Sequence, residues 1–540
     1  MRADSLRLLE PRVRRRPLVL AVLCVSLLLV SLDNTILNVA LPDISRDLNA
    51  SSGELQWIVD TYIVVLAGAL LVVGSVGDHL GRKRVFLAGL FVFGAASAIC
   101  AFSGTPTHLA AARAVLGLGA AGIMPTTLAL LTSVYPRADE RARAIGLWSG
   151  TTGLGVAIGP VVGGWLLAHY WWGSVFLVNV PIAALGLLAA ALVVPESRDP
   201  KSPAPDFPGA GLSILGMGAL LWGIIEAPTR TWGSPVVLGA LSAGAAALGL
   251  LAIVERRSTH PMLSVAVFSS RRFSAAMGAM AVVMFALFGA LFVLTQYLQF
   301  SLGYSALATG LRIAPIAVVL LVAAPLSSLA VKAVGTTPVV VVGMALIAGG
   351  LALLSRTTVA GGYGDALPAL MLVGLGAGLS FAPCTDSVMG ALPPARTGVG
   401  AATNGAAIQT GGALGVAVLG SLLSTRYVHR LAPVLAGHAM PRSVYEAITG
   451  SLGGALEVAA RTSGALGTEL AAFARGAFVS GMDLAVGVGA LVALAGALFA
   501  LGALPRRPAA VEAAPPTRHR VAPGRPAPPR PGAPRQRRGA

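Results

Sequence analysis

Three ionisable side chains stand inside long apolar runs of this chain: Asp33, Asp60 in the stretch Trp57-Ile-Val-Asp60-Thr-Tyr62, and Arg113 among alanines and leucines. Charge is expensive in hydrocarbon, so such residues mark proton relays, ion paths or counter-ions. A carboxyl has a charged and a neutral form, whereas a guanidinium stays charged. Held near one another, the two can take up and release a proton as their separation changes. That is the chemistry of proton coupling, not of bond making. The only lysines, Lys83, Lys201 and Lys332, follow Arg82, Pro200 and Val331, so none is the Gly-preceded lysine of an ATP-binding P-loop. The 7 histidines are scattered and form no HExxH pair, and Cys24, Cys100 and Cys384 all lie in apolar runs. No metal, no cofactor and no enzymatic activity is expected; if the chain moves solute uphill, an ion gradient must supply the energy.

The elements that must position these residues are transmembrane helices. Of 540 residues, 55% are apolar and 11% charged, with a mean hydropathy of +0.79, against about 25% charged in an ordinary soluble domain. Windows of about 20 apolar residues, enough to cross the bilayer core, fall in fourteen places. They lie near 17–41, 56–77, 85–103, 107–131, 144–167, 173–194, 209–226, 235–254, 274–296, 305–331, 335–355, 367–390, 399–424 and 477–503. The first is too long for a cleavable signal peptide, carries Asp33 and lacks a small-x-small exit site. At 1.5 Å per residue, Asp33 lies roughly 6 Å beyond the membrane midpoint, and Asp60 and Arg113 roughly 9–10 Å on the same side. A shared water-filled cavity is one arrangement consistent with these depths. The alternatives are a structural polar contact for Asp33, hydration near the interface for Asp60, and a counter-ion role for Arg113.

Net charge is +17, with 36 arginines. In a soluble chain this would point to nucleic acid, but its distribution answers to the membrane. An even number of spans places both termini on one side, and the segments of that side hold 29 of the 39 Lys and Arg. This is the positive-inside pattern, with attraction to anionic headgroups, and it predicts cytoplasmic termini without nucleic acid. Segment 504–540, with ten Pro and nine Arg, is expected to be a disordered tail resting on lipid. Segment 425–476 is expected to be an extracytoplasmic loop with short amphipathic helices, either an elaboration, a lid or a partner site.

The loop after the second span reads Gly74-Ser-Val-Gly-Asp78-His-Leu-Gly81-Arg82-Lys83-Arg84. Its glycines allow two helices to approach, and its Asp suits a neighbouring helix N-terminus or an Arg. In span five, Gly155, Gly159 and Gly163 recur every four residues and share one face, beside Pro160, which removes a backbone donor. Such a stripe serves either static packing or sliding of helices.

Together these motifs closely resemble the major facilitator superfamily, in its branch of 14-span drug:proton antiporters exporting quaternary ammonium and other lipophilic compounds. The loop is similar to the family's motif A, and Leu32-Asp33-Asn34-Thr35-Ile-Leu-Asn38-Val-Ala-Leu41-Pro42 to its first-helix signature. Arg113 with Gly117 and Gly119 resembles motif B, Gly150 through Gly164 resembles the antiporter motif C, and Phe176-Leu-Val-Asn179-Val-Pro181 matches span six. Departures are Leu116 in place of motif B's glutamine, Lys332 where a second-half motif A would carry Asp, and Arg312, Asn404 and Gln409 where some cation exporters carry acids in spans ten and thirteen.

The resemblance implies an all-α integral membrane protein with the major facilitator fold. Its parts would be a basic N-terminus (1–16), a six-helix bundle (17–194), a linker (195–208), two inserted helices and a cytoplasmic loop (209–273), a second six-helix bundle (274–503) and the tail (504–540). It implies a monomeric drug exporter of the bacterial cytoplasmic membrane, coupled to protons through Asp33, Asp60 and Arg113. Gly74, Asp78, Gly81, Arg82 and Lys83, and Gly155, Gly159, Pro160 and Gly163, would govern conformation. The substrate would be a lipophilic small molecule, or a self-made metabolite in the alternative of a dedicated exporter; a receptor or scaffold is the non-transport alternative.

Overall fold

The computed structural model describes residues 16–198, 204–257, 268–391, 397–436 and 440–504; segment 1–15 and the Pro/Arg-rich tail from 505 lie outside the described residues. Fourteen long helices form the molecule: α1 (Arg16–Asp47), α2 (Ser52–Leu80), α3 (Arg82–Ala101), α4 (Pro106–Val134), α5 (Ala138–His169), α6 (Asn179–Val193), α7 (Phe207–Arg230), α8 (Pro235–Arg257), α9 (Arg271–Gln296), α10 (Ala306–Val334), α11 (Thr336–Leu354), α12 (Tyr363–Gly390), α13 (Thr397–Leu435) and α14 (Ala465–Ala503). A single turn, Ser174–Leu177, leads into α6, and a π turn, Tyr297–Ser301, ends α9. Among the described residues, thirteen helical stretches are long and apolar enough to cross a bilayer. The remaining helix, α5, is 32 residues long and carries the span-five glycines.

The helices begin where the local chemistry prescribes. Ser51 caps α2 in a reciprocal box with Glu54, Thr105 caps α4 ahead of Pro106, and Ser305 caps α10. Between α13 and α14, two short helices, Arg442–Gly450 and Leu452–Arg461, fill the connection, each with one buried face.

Two halves repeat one packing scheme. In α1–α6, α2 packs on α4, α4 on α3, α3 on α6 and α1 on α5; in α9–α14, α10 packs on α12, α12 on α11, α11 on α14 and α9 on α13. The inserted pair α7–α8 lies between them in sequence, and α7 packs on both α2 and α13. The halves meet chiefly through α2–α13 and α5–α10. At the end of the molecule away from residues 16 and 504, called distal below, these contacts are close. Gln299 Nε2 donates to the Val39 carbonyl at 2.8 Å, and a Cβ at Gly310 would lie 2.0 Å from the Pro160 carbonyl oxygen.

Candidate functional site

The first half carries a buried polar cluster built from five helical segments. Asp33 on α1 is 0% exposed and Arg113 on α4 is 1% exposed. Arg113 Nη1 donates to Asp33 Oδ2 at 2.5 Å, and Asn179 Nδ2 at the start of α6 donates to Asp33 Oδ1 at 2.9 Å. The guanidinium is further held by the Ile58 carbonyl on α2 at 3.1 Å from Nε, and lies 4.2 Å from the Tyr62 ring centroid and 5.9 Å from that of Phe176. Ser97 on α3 lies 3.4 Å from Asn179 Nδ2. Each charge has its opposite within bonding distance, which offsets the cost of taking both out of water.

The backbone geometry allows this density. A Cβ at Gly117 would lie 2.4 Å from the Tyr62 carbonyl oxygen, so α2 and α4 close up where Tyr62 covers Arg113. Thr35, two residues beyond Asp33, faces away from the cluster: its hydroxyl donates to the Gly155 carbonyl of α5 at 3.2 Å. With Asn38, Val39, Pro160, Leu287, Ile313 and others, Thr35 lines a small apolar cavity of about 20 Å³ between the halves. One helix therefore shows its carboxylate to the bundle interior and its next turn to the junction between bundles.

Of the three charges expected to share a site, the structure joins Asp33 and Arg113 and leaves Asp60 apart. Asp60 is 0% exposed, and neither of its carboxyl oxygens has a hydrogen-bond partner among the described residues. One turn away, Gln56 accepts from Ser421 of α13 at 3.4 Å, and a Cβ at Gly420 would lie 2.7 Å from the Gln56 amide carbon. Asp60 therefore sits on the helix that forms the α2–α13 seam.

The α2–α3 loop is held from an unexpected direction. Gly81 adopts φ +118°, a conformation that side chains resist, and a Cβ there would also meet the Glu196 carboxylate at 2.8 Å. Asp78 pairs with Arg82 at 2.7 Å. Beyond α6, Glu196 accepts the Lys83 amide at 3.0 Å, Ser197 accepts the Arg82 amide through its carbonyl at 2.8 Å, and Lys83 Nζ donates to the Ala191 carbonyl at 2.8 Å. Gly74 rests on Pro125 of α4. The span-five glycines face two ways. Gly155, Gly159 and Gly163 press on Ser31, Thr35 and Ile36 of α1, while Pro160 and Gly164 press on Gly310, Ala306 and Leu307 of α10.

Asn179, Tyr62 and Glu196 carry roles that sequence reasoning did not assign. Asn179 had a visible signal, because it and Ser174 are the only hydrogen-bonding side chains from 174 to 193, and a buried amide demands a partner. Glu196 had none, lying in a Pro-rich linker. In the second half, Arg312 has no carboxylate partner among the described residues. It bonds the Ala308 carbonyl at 3.1 Å and lies 3.9 Å from the Tyr304 ring centroid and 5.4 Å from that of Tyr363.

Comparison with known proteins agrees with this architecture. The family model described as Major Facilitator Superfamily matches residues 23–416. The tetracenomycin C resistance and export protein of Streptomyces glaucescens is 34% identical over 496 residues, 91% of this chain and 92% of its own length. The multidrug efflux pump LfrA of Mycolicibacterium smegmatis is 35% identical over 482 residues, 88% and 94% of the two chains. The puromycin resistance protein pur8 of Streptomyces alboniger is 34% identical over 407 residues, 75% and 81% of the two chains. A crystal structure of a bacterial homolog to human lysosomal transporter, Spinster, in inward-facing and unoccupied conformation, shares the fold, with a TM-score of 0.62 at 16% identity over 91% of this chain and 98% of that one.

Proposed function

The chain belongs to the major facilitator superfamily, and from that premise we propose that it is a proton-coupled antiporter that exports lipophilic, preferentially cationic, drugs, antibiotics or antiseptics across the bacterial cytoplasmic membrane. Relatives named for multidrug efflux and for resistance to puromycin support an exporter. The observation that carries the coupling is the Asp33–Arg113 pair, 2.5 Å long and shut inside the first half.

A proton reaching Asp33 cancels its charge and leaves Arg113 buried without a counter-ion. A charge so stranded costs several kcal/mol, enough to favour another arrangement of the helices that hold it. Because α1 carries Asp33 on one side and Thr35, Asn38 and Val39 on the other, a shift of α1 reaches the junction between the halves. The substrate need not touch Asp33. Alternating access then proceeds by rocking of one half against the other, with the distal contacts of Gln299, Gly310 and Gly164 forming the outer closure. Both termini lie in the cytoplasm, and the protein works as a monomer amid anionic lipid.

The test is efflux and growth protection against a panel of dyes, antiseptics and antibiotics in a pump-deficient host, then counterflow in proteoliposomes under an imposed proton gradient. Gradient-dependent export of several compounds is the expected result; export indifferent to the gradient overturns the coupling. Tags at residues 1 and 540 should be cytoplasmic and one within 440–460 extracytoplasmic; opposite-sided termini would remove the topology. A second reading, a dedicated exporter of an endogenous metabolite, is favoured by the tetracenomycin C relative, which the chain matches nearly end to end. A panel in which a single compound is exported would select it.

A further inference from the structure

We propose that Asn179 is a two-state partner of Asp33: its amide donates to the ionised carboxylate and, after rotating end for end, accepts the hydrogen of the neutral acid. The inference rests on Asp33 as the coupling group and names what makes its two charge states tolerable inside the bundle.

Three observations carry it. Asn179 Nδ2 donates to Asp33 Oδ1 at 2.9 Å, whereas the other end of the same amide, Oδ1, is buried with no partner among the described residues. Arg113 occupies the second carboxylate oxygen, so Asp33 Oδ1 is the oxygen left to receive a proton. Asn179 is the group already bonded to that oxygen, and so the one placed to receive a new O–H donor there. The titratable and charged groups facing Asp33 are Arg113 from α4, Tyr62 from α2 and Cys100 from α3, and α6 contributes none. Arg113 has only donors; Tyr62 presents its ring to the guanidinium, and its hydroxyl, which has no hydrogen-bond partner among the described residues, is the competing acceptor.

An asparagine amide has a donor end and an acceptor end of nearly equal shape, so rotation about its terminal bond exchanges them without moving the backbone. The proton comes from the aqueous phase, forms one O–H bond on Asp33 Oδ1 and breaks no covalent bond. The hydrogen bond then runs from Asp33 to Asn179 Oδ1. Ser97, 3.4 Å from the amide, accepts before the rotation and donates after it, since a hydroxyl does both. One amide end lacks a partner in either orientation, so the rotation exchanges which end is unsatisfied and adds no new deficit. A neutral Asp33 is thus held in place while Arg113 is released. Asn179 is a positioning residue in this scheme.

Infrared difference spectroscopy on the purified full-length protein, titrated in pH, reads the site directly. The wild type should show a band from a hydrogen-bonded neutral carboxyl that is absent in Asp33→Asn. In Asn179→Leu, of similar size and without hydrogen-bonding atoms, that band should move to the position of a free carboxyl, and proton-driven efflux should fall at least about tenfold while drug affinity stays within a few-fold. Asn179→Gln should restore the hydrogen-bonded position. In wild-type protein labelled with 13C-asparagine, an asparagine amide band should change at the same pH midpoint as the carboxyl band, and that change should be lost in Asn179→Leu, which assigns it to Asn179 among the five asparagines. A carboxyl band that depends on Asp33 and is unmoved in Asn179→Leu, or a silent asparagine band, overturns the role of Asn179 alone. A carboxyl band unaffected by Asp33→Asn instead removes Asp33 as the coupling group.

Discussion

The two halves share one packing scheme and differ in what they bury. In the first, α1, α4 and α6 converge on an ion pair that excludes solvent. In the second, among the described residues, no ion pair joins two spanning helices, and the cation Arg312 is covered by tyrosine rings. The joints between the second and third helix of each half repeat this contrast. Gly81 and Gly335 both take positive φ, +118° and +90°, so the turn is common to both. At the first joint Asp78, Arg82, Lys83 and Glu196 interlock, whereas Lys332 stands where the second joint would carry its Asp. A repeated backbone therefore does not require repeated chemistry. In the proposed mechanism the first half holds the charge switch, and the second offers the surface against which it moves.

Breaking the switch should have the largest effect. Asp33→Asn leaves Arg113 buried without its carboxylate, a loss of about 3–5 kcal/mol for a broken buried pair. Thermal unfolding in detergent should fall accordingly and gradient-driven efflux should vanish; efflux comparable to wild type would erase the contrast between the halves. Next is the surface of movement. In Gly310→Leu the Cβ would start 2.0 Å from the Pro160 carbonyl, so the distal closure cannot form as it stands. Transport should drop by at least about tenfold while each half stays folded, and accessibility of distal cysteine probes should rise. Unchanged accessibility would show that this contact is not part of the closure.

The joints come third. Asp78→Asn should cripple transport with substrate affinity within a few-fold, because the loop lies far from the inter-half cavity. Glu196→Gln should reproduce a milder form of the same defect by loosening Lys83 and Arg84. An affinity loss as large as the transport loss would place the joint in the binding site instead. The smallest change belongs to the second half. Arg312→Gln forfeits ring contacts worth about 0.5–2 kcal/mol and should leave the gradient dependence of efflux unaltered. A lost gradient dependence would make Arg312 a second coupling group and end the asymmetry.

Much of this was legible in the residues. Hydropathy windows located the spans because any polypeptide crossing hydrocarbon must satisfy its backbone internally over about 20 residues. Gly81 was legible as a joint because only glycine takes its conformation readily. Depth along the helices placed Asp33 and Arg113 within reach of each other, because rise per residue is constant. Asp60, at nearly the depth of Arg113, was nonetheless separated from it: depth is one coordinate, and rotation about the helix axis is the other. Helices that are apolar on nearly every side give little indication of which neighbour each face will meet.

By itself, the order of residues determined that the chain is a bundle of spanning helices, roughly where each crosses the membrane, and which few charges lie in the interior. Only the tertiary structure decided the partners. Asn179 reaches Asp33 across 146 positions of sequence, Glu196 closes on a loop 113 positions earlier, and Gly310 receives Pro160 from the other half. The physical reason is that backbone hydrogen bonding and solvent transfer act residue by residue and leave their mark in local composition. Pairing depends on how far glycines let two helices approach and how each is turned about its axis, and these are properties of the packed whole.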